Sequence, residues 1–190
     1  DESGYNTTLI TDHAVRFIEE NRDRPFFLYM PHSAIHFPWM TPDDPGYRQF
    51  LSRLFLPLQE RLAPGCQGLD FGSGPGPTLS VMLTEAGHDV VLYDPFYAHH
   101  PDVLTRRYDF ITASEVVEHL HHPGLELDRL YGLLKPGGLL GIMTKRVLDR
   151  AKFAGWHYKN DPTHVCFFSE VYRPTPSVDA VEFPVVWLLP

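Results

Sequence analysis

Short unbroken apolar runs along this chain alternate with stretches whose apolar residues recur at a period near 3.6, and the switches mark the elements. The stretch GLDFGSGPGPTLSVMLTEAGHDVVLYD, from Gly68 to Asp94, reads as strand, glycine turn, helix and strand. Leu69 ends a short apolar run. Leu79, Val81, Met82, Leu83 and Ala86 fit a buried helix that begins near Thr78, and Gly87 is placed to end it. Asp89-Val-Val-Leu-Tyr-Asp94 has the unbroken apolar centre of a parallel strand buried on both faces. Upstream, Tyr47, Phe50, Leu51, Leu54, Phe55, Leu58 and Leu62 hold one helical stripe, with Pro57 a kink. Downstream, Tyr108–Thr112 predicts a strand that runs into Ala-Ser-Glu-Val-Val-Glu-His-Leu120. Leu127, Leu130, Leu133 and Leu134 predict a helix ending at Lys135-Pro-Gly-Gly138, and Leu139–Thr144 predicts the next buried strand. Strands alternating with helices predict an α/β domain with a doubly wound, mostly parallel sheet.

The two ends read differently. Leu9, Ile10, Ala14, Val15, Phe17 and Ile18 recur at helical spacing, with Asn6 or Thr7 as a cap and Pro25 as the break. Phe26–Met30 predicts a short buried strand, and His32–Trp39 a loop at its carboxyl end. Near the other end, Pro174 and Pro176 forbid a regular helix, and Val185–Leu189 offers one strand preceded by Pro184. The sheet is therefore expected to be incomplete at its carboxyl-terminal edge.

Composition narrows the class. The 190 residues hold one full domain with a sizeable core plus an appendage. No apolar run approaches membrane-spanning length. A net charge of −8 argues against broad binding to nucleic acid or anionic membranes, which uses a basic face. Cys66 and Cys166 are too few for a disulfide scaffold or a cysteine-rich zinc site, which favours a reducing cytoplasm. The chain starts at Asp1 without a methionine or a signal-peptide pattern, so the expectation is that upstream sequence is missing or the boundary is artificial.

The glycine turn carries the first chemistry. Gly72, Gly74 and Gly76 let the backbone turn tightly and approach a ligand beyond the strand carboxyl ends, where Asp70 and Asp94 are expected. The dinucleotide pattern G-x-G-x-x-G fails, because counting from Gly72 its last position is Pro77. A carboxylate just before the turn suits a cationic ligand better than a pyrophosphate. Asp94 is placed to accept hydrogen bonds from ribose hydroxyls. A ribose joined to a positive amino-acid moiety describes S-adenosylmethionine (SAM).

Four stretches in order, D-F-G-S-G-P-G, Tyr93-Asp94, YDFITASEVVEHL and LLKPGGLLGIMT, resemble the motifs of class I SAM-dependent methyltransferases over residues 41–169. The resemblance implies a Rossmann-like fold and SAM as cofactor. It assigns Asp70, Gly72, Gly74 and Gly76 to the methionine end, Asp94 to the ribose, and Ser114 with Glu115 to the surroundings of the adenine or donor. The acceptor is expected to be a small molecule; its identity, the atom methylated and the oligomeric state are not written in the chain. The helix before the first strand is expected to help close the cofactor pocket.

Glu115, Glu118 and His119 stand at i, i+3 and i+4, so in the first turn of a helix they share a face. Two chemical roles are open: the three hold a divalent ion such as Mg2+, or His119 acts alone as general base. The E-x-x-E-H pattern is similar to that of ubiquinone-pathway O-methyltransferases and small-RNA 2′-O-methyltransferases, and also occurs where Glu and His only hold the backbone. His157 and His164 are candidates to complete a metal site or to bond the acceptor. Phe96 or Tyr97 is a candidate adenine-facing lip, with His99 and His100 solvated. The alternative function is a non-catalytic SAM-binding chain, truncated or chimeric, without turnover.

The first forty residues resemble a sulfatase segment in which a helix leads into a PFFLY-type strand and a histidine-bearing loop, which puts His36 at that histidine's place. A sulfatase also needs a C-x-P-x-R nucleophile, and neither Cys66 nor Cys166 stands in one. A sulfate-ester hydrolase is thus disfavoured. The expected organisation is a chimeric chain, with residues 1–40 an appendage, residues 41–190 the methyltransferase domain, and the join near Met40-Thr41.

Overall fold

The computed structural model describes residues 6–28, 42–169 and 185–188. In chain order the elements are α1 (Asn6–Asn21), α2 (Pro45–Gln59), β1 (Gln67–Phe71), α3 (Thr78–Glu85), β2 (Asp89–Tyr93), β3 (Tyr108–Ser114), α4 (Pro123–Gly132), β4 (Leu134–Met143), β5 (Arg146–Val147), α5 (Arg150–Ala154), β6 (Phe168–Ser169) and β7 (Val185–Leu188). Five strands form one sheet in the order β2-β1-β3-β4-β7, every neighbouring pair parallel. Strands β5 and β6 make a separate two-residue pair. The chain moves outward from β1 to β2 and then returns to β3 on the other side of β1. That reversal opens a crevice between the carboxyl ends of β1 and β3, where α/β sheets bind ligands.

Alternation along the strands sends side chains to two cores. Leu140 and Ile142 pack with Ile111, Leu127 and Leu130 on one face. Leu139, Met143 and Phe110 pack with Leu51, Leu54 and Leu58 of α2 and Leu79 and Leu83 of α3 on the other. Helices therefore cover both faces, as the doubly wound reading expects. Helix α2 starts where the Asp44 carboxylate accepts the Tyr47 N–H at 2.6 Å, with Pro45 in the first turn. Its Leu51, Leu54 and Leu58 are fully buried, each worth roughly 1.5–3 kcal/mol of burial. Gly141 makes room for one of them: a Cβ there would lie 3.0 Å from Leu54 Cδ1.

Several boundaries differ from the sequence reading. Strand β2 is half-buried rather than buried on both faces, because it lies at the sheet edge. The segment Lys135-Pro-Gly-Gly138 is not a free turn between helix and strand. It lies inside β4 as an irregularity, with Leu134 opposite Tyr108 and Leu139 opposite Phe110, and Gly137 has φ +79°. Strand β7 pairs with β4 over Val185–Leu188, matching the single expected closing strand.

Helix α1 buries Ala14 and Asn21 but leaves Val15, Phe17 and Ile18 exposed, so the expected apolar stripe is only partly covered. Phe26–Leu28 form no strand, and Phe27 is 87% exposed. No described strand pairs with them, which leaves the apolar composition without the sheet it presupposes. Tyr29, Met30, the loop with His36, the join at Met40-Thr41, Pro174, Pro176 and Pro184 lie outside the described residues.

Candidate functional site

Asp70 sits one residue before the end of β1 and is buried. Its Oδ1 accepts the Thr112 hydroxyl of β3 at 2.8 Å, and its Oδ2 accepts the Ser80 hydroxyl of α3 at 2.6 Å. Burial pushes its carboxyl above the ordinary range while the two hydroxyls oppose that shift. The chain then turns at Gly72 (φ +74°) and Gly74 (φ +64°). Gly72 N–H donates to the Tyr93 carbonyl at 2.7 Å, and a Cβ at Gly72 would lie 2.5 Å from Val116 Cγ2. Only glycine meets both demands. The Gly76 carbonyl accepts the Thr78 N–H at the start of α3.

Asp94, just beyond β2, is also buried. Its Oδ2 accepts Gly74 N–H at 2.9 Å, and its Oδ1 accepts the N–H groups of Phe96 and Tyr97 at 2.8 and 3.0 Å. A carboxylate offers about four lone-pair sites, so one on Oδ2 stays available to a ligand. Phe96 and Tyr97 are exposed beside it. Tyr47 of α2 borders the same crevice: burial, then the Asp70 and Glu115 carboxylates, push its phenol up to about 12.

Beyond β3 the expected helical turn is absent. Ser114 ends the strand, Glu115 takes a left-handed backbone with φ +52°, and Val117–His119 form a 3-10 turn. Glu115 N–H donates to the Met143 carbonyl at 2.7 Å, which holds the unusual conformation. The face shared by Glu115, Glu118 and His119 therefore does not form as in an α-helix. Instead ligand atoms of Glu118, His119 and His164 come within 4.8 Å of one another. The N–H groups of Val165 and Cys166 both donate to the Glu118 carbonyl and fasten the His164 segment there. Both imidazoles are oriented by carbonyls, His119 Nδ1–H donating to Thr163 O at 3.0 Å and His164 Nδ1–H to Tyr158 O at 2.7 Å. A carbonyl only accepts, so in each neutral ring Nε2 carries the lone pair; that of His164 lies 3.9 Å from Asp161 Oδ2. His157 is exposed and is not among these three ligand residues.

Tyr158 ties the cluster together, and sequence reading gave it no role. Its hydroxyl donates to Glu118 Oε1 and lies 3.5 Å from Glu115 Oε2 and 3.4 Å from Thr144 Oγ1. Burial and the Glu118 bond push the phenol well above its ordinary range, so it stays protonated. Burial, then the charge of Glu118, push the Glu115 carboxyl up to about 7. Among the described residues five buried side-chain polar atoms lack a partner. Four belong to this edge of the sheet: Ser73 Oγ and Thr78 Oγ1 around the glycine turn, and Glu115 Oε1 and Glu118 Oε2 beyond β3. Buried polar atoms ordinarily have partners, so the two orphans at the glycine turn and the two beyond β3 are atoms a polar ligand could satisfy.

Comparison with known proteins supplies a family. A model described as a methyltransferase domain matches residues 44–172. The ubiquinone biosynthesis O-methyltransferase of Nitrobacter winogradskyi is 53% identical over 41 residues, which are 22% of this chain and 16% of that protein's length. The chain thus matches only a small part of that curated relative. A Burkholderia thailandensis 1,6-didemethyltoxoflavin-N1-methyltransferase, solved with 1,6-didemethyltoxoflavin and S-adenosylhomocysteine, aligns with TM-score 0.40 and 20% identity over 75% of this chain and 64% of its own. A SAM-dependent methyltransferase from Thermotoga maritima, described as a possible histamine N-methyltransferase, aligns with TM-score 0.36 and 18% identity over 66% and 70%. With its family model spanning both acids, the glycine turn and the cluster beyond β3, this chain belongs to the methyltransferase domain family.

Proposed function

We propose that this chain transfers a methyl group from SAM to a small-molecule acceptor. The observation that carries the reading is the pair of orphaned hydroxyls at the glycine turn, Ser73 Oγ and Thr78 Oγ1, framed by Asp70 and Asp94. Gly72 and Gly74 bring backbone close to the methionine end. Asp70 anchors Thr112 and Ser80 through one hydroxyl on each oxygen and keeps a lone pair on each for the ammonium of the methionine end. Asp94 keeps a lone pair for a ribose hydroxyl, and Ser114 and Glu115 border the nucleoside. In the reaction a lone pair on the acceptor nucleophile attacks the methyl carbon, the C–S bond breaks, and its electrons neutralise the sulfonium. The acceptor's proton passes to a base, for which His119 Nε2 is the candidate where no ion occupies that atom. The sulfonium is already activated, so the protein's main contribution is alignment.

The donor set of Glu118, His119 and His164 also fits a divalent ion, and the orphaned Glu118 Oε2 supports that reading. Two imidazoles and one carboxylate suit Mn2+, Fe2+ or Zn2+ better than Mg2+, which prefers oxygen donors throughout. Such an ion would orient an acceptor hydroxyl and lower its pKa. Glu115 stands beside these groups and is the candidate fourth ligand. The free cysteines Cys66 and Cys166 support a reducing compartment.

The test is transfer of labelled methyl from SAM to a panel of small acceptors, with and without chelator. Transfer is expected, lost in chelator and restored better by Mn2+ than by Mg2+. Full activity in chelator removes the metal from the account. Binding of SAM without transfer to any acceptor favours a non-catalytic module.

A further inference from the structure

The chain is acidic overall, yet one segment reverses its sign. Lys145–Lys159 carries five of the 16 lysines and arginines and only one of the 24 acidic residues. In the structure this segment walls a groove of about 180 Å³, lined by Lys145, Arg146 and Lys152 together with Phe153 and Trp156. Through Trp156 the wall of the groove packs against the cluster beyond β3. The Trp156 ring stacks on Tyr158 with centroids 4.9 Å apart, and Tyr158 donates its hydroxyl to Glu118 and lies 4.0 Å from the His164 ring. The Lys145 ammonium sits 5.0 Å from the Tyr158 ring centroid, and its charge is felt at Glu115. One aromatic ring thus separates the groove from the groups assigned to acceptor chemistry.

We propose that this groove is the acceptor site, and that the acceptor is an organic anion carrying a flat apolar ring. The inference rests on the methyltransferase reading and adds a substrate class to it. Phe153 and Trp156 offer apolar surface for a ring, and Lys145 together with Lys152, whose 4.0 Å pairing with Asp149 is exposed, offers partners for a carboxylate, sulfonate or phosphate. In a chain of net charge −8, an anion is attracted to this face and repelled elsewhere. Lys152 is a suitable probe because its side chain is 68% exposed, so replacing it does not open the core.

The experiment is calorimetric titration of the full chain, at low salt, with 4-hydroxybenzoate and with its uncharged counterpart 4-hydroxybenzamide. The acid is expected to bind about tenfold more tightly than the amide. Lys152→Glu is expected to weaken the acid about threefold to fivefold and leave the amide within about twofold. Trp156→Leu is expected to weaken both alike. Equal affinities for acid and amide, no heat from the acid at millimolar concentration, or indifference of the acid to Lys152→Glu overturns the proposal. A ten-nucleotide single-stranded RNA that binds more tightly than the acid, with the same dependence on Lys152 and Trp156, overturns the small-molecule class. Titration of the same samples with S-adenosylhomocysteine keeps the two readings apart. If that nucleoside binds and the acid is not preferred, the groove proposal alone fails; if it does not bind, the underlying reading fails.

Discussion

Gly72 shows how one absent side chain opens the site. Its φ of +74° and the 2.5 Å approach of Val116 leave no room for a methyl group. Gly72→Ala is expected to cost about 1–3 kcal/mol of stability and at least about tenfold in nucleoside affinity, read by urea melts and calorimetry. Glu115 sets a pH dependence. Its carboxyl is pushed up to about 7 in the folded chain from its ordinary value of 4.5, first by burial and then by Glu118. The folded state therefore holds a proton that the unfolded state releases. This contribution is fully present below pH 4.5 and is lost as pH rises through 7. In chelator, stability should fall by on the order of 2 kcal/mol between pH 5 and 8, and Glu115→Gln should flatten that slope. An unchanged slope in the variant contradicts the assignment. Acids and glycines after a strand were legible because few other jobs demand those residue types there. Thr112, Ser80 and Tyr158 were not, since a hydroxyl on a buried element looks like ordinary core until its partner 42, 10 or 40 residues away is known.

At the scale of elements, α2 and β4 interlock through Leu54 and Gly141. Leu54→Ala is expected to cost about 2–5 kcal/mol and Gly141→Ala about 1–3 kcal/mol, by denaturant unfolding. The double variant should cost less than the sum, because the added methyl enters the space the leucine leaves. Strict additivity contradicts the packing. The α2 stripe was readable from its 3.6-residue period, and β1, β2 and β3 from their short apolar runs. The turn beyond β3 was not. Spacing i, i+3, i+4 brings side chains together only in an α-helix, whereas Glu115 is left-handed and the next turn is 3-10. His164, which the sequence offered as a candidate to complete a metal site, is held beside Glu118 by two long-range hydrogen bonds to the Glu118 carbonyl, which no local period encodes.

At the scale of the molecule, the two cores draw, among the described residues, on those from Tyr47 onward and on none from α1. Removing residues 1–40 is therefore expected to leave nucleoside affinity within about twofold, whereas loss of binding on that deletion refutes the reading of an appendage. The alternation of strand and helix made the parallel sheet foreseeable, but the exposed Phe27 shows that apolar composition alone does not make a strand where no neighbour pairs with it. Sheet order, the glycine turn and the two acids all converge on a single crevice. Its most direct test is calorimetry of the purified chain with S-adenosylhomocysteine. The account predicts binding at one molecule per chain, weakened at least about tenfold by Asp94→Ala; absence of binding, or full affinity in that variant, contradicts it.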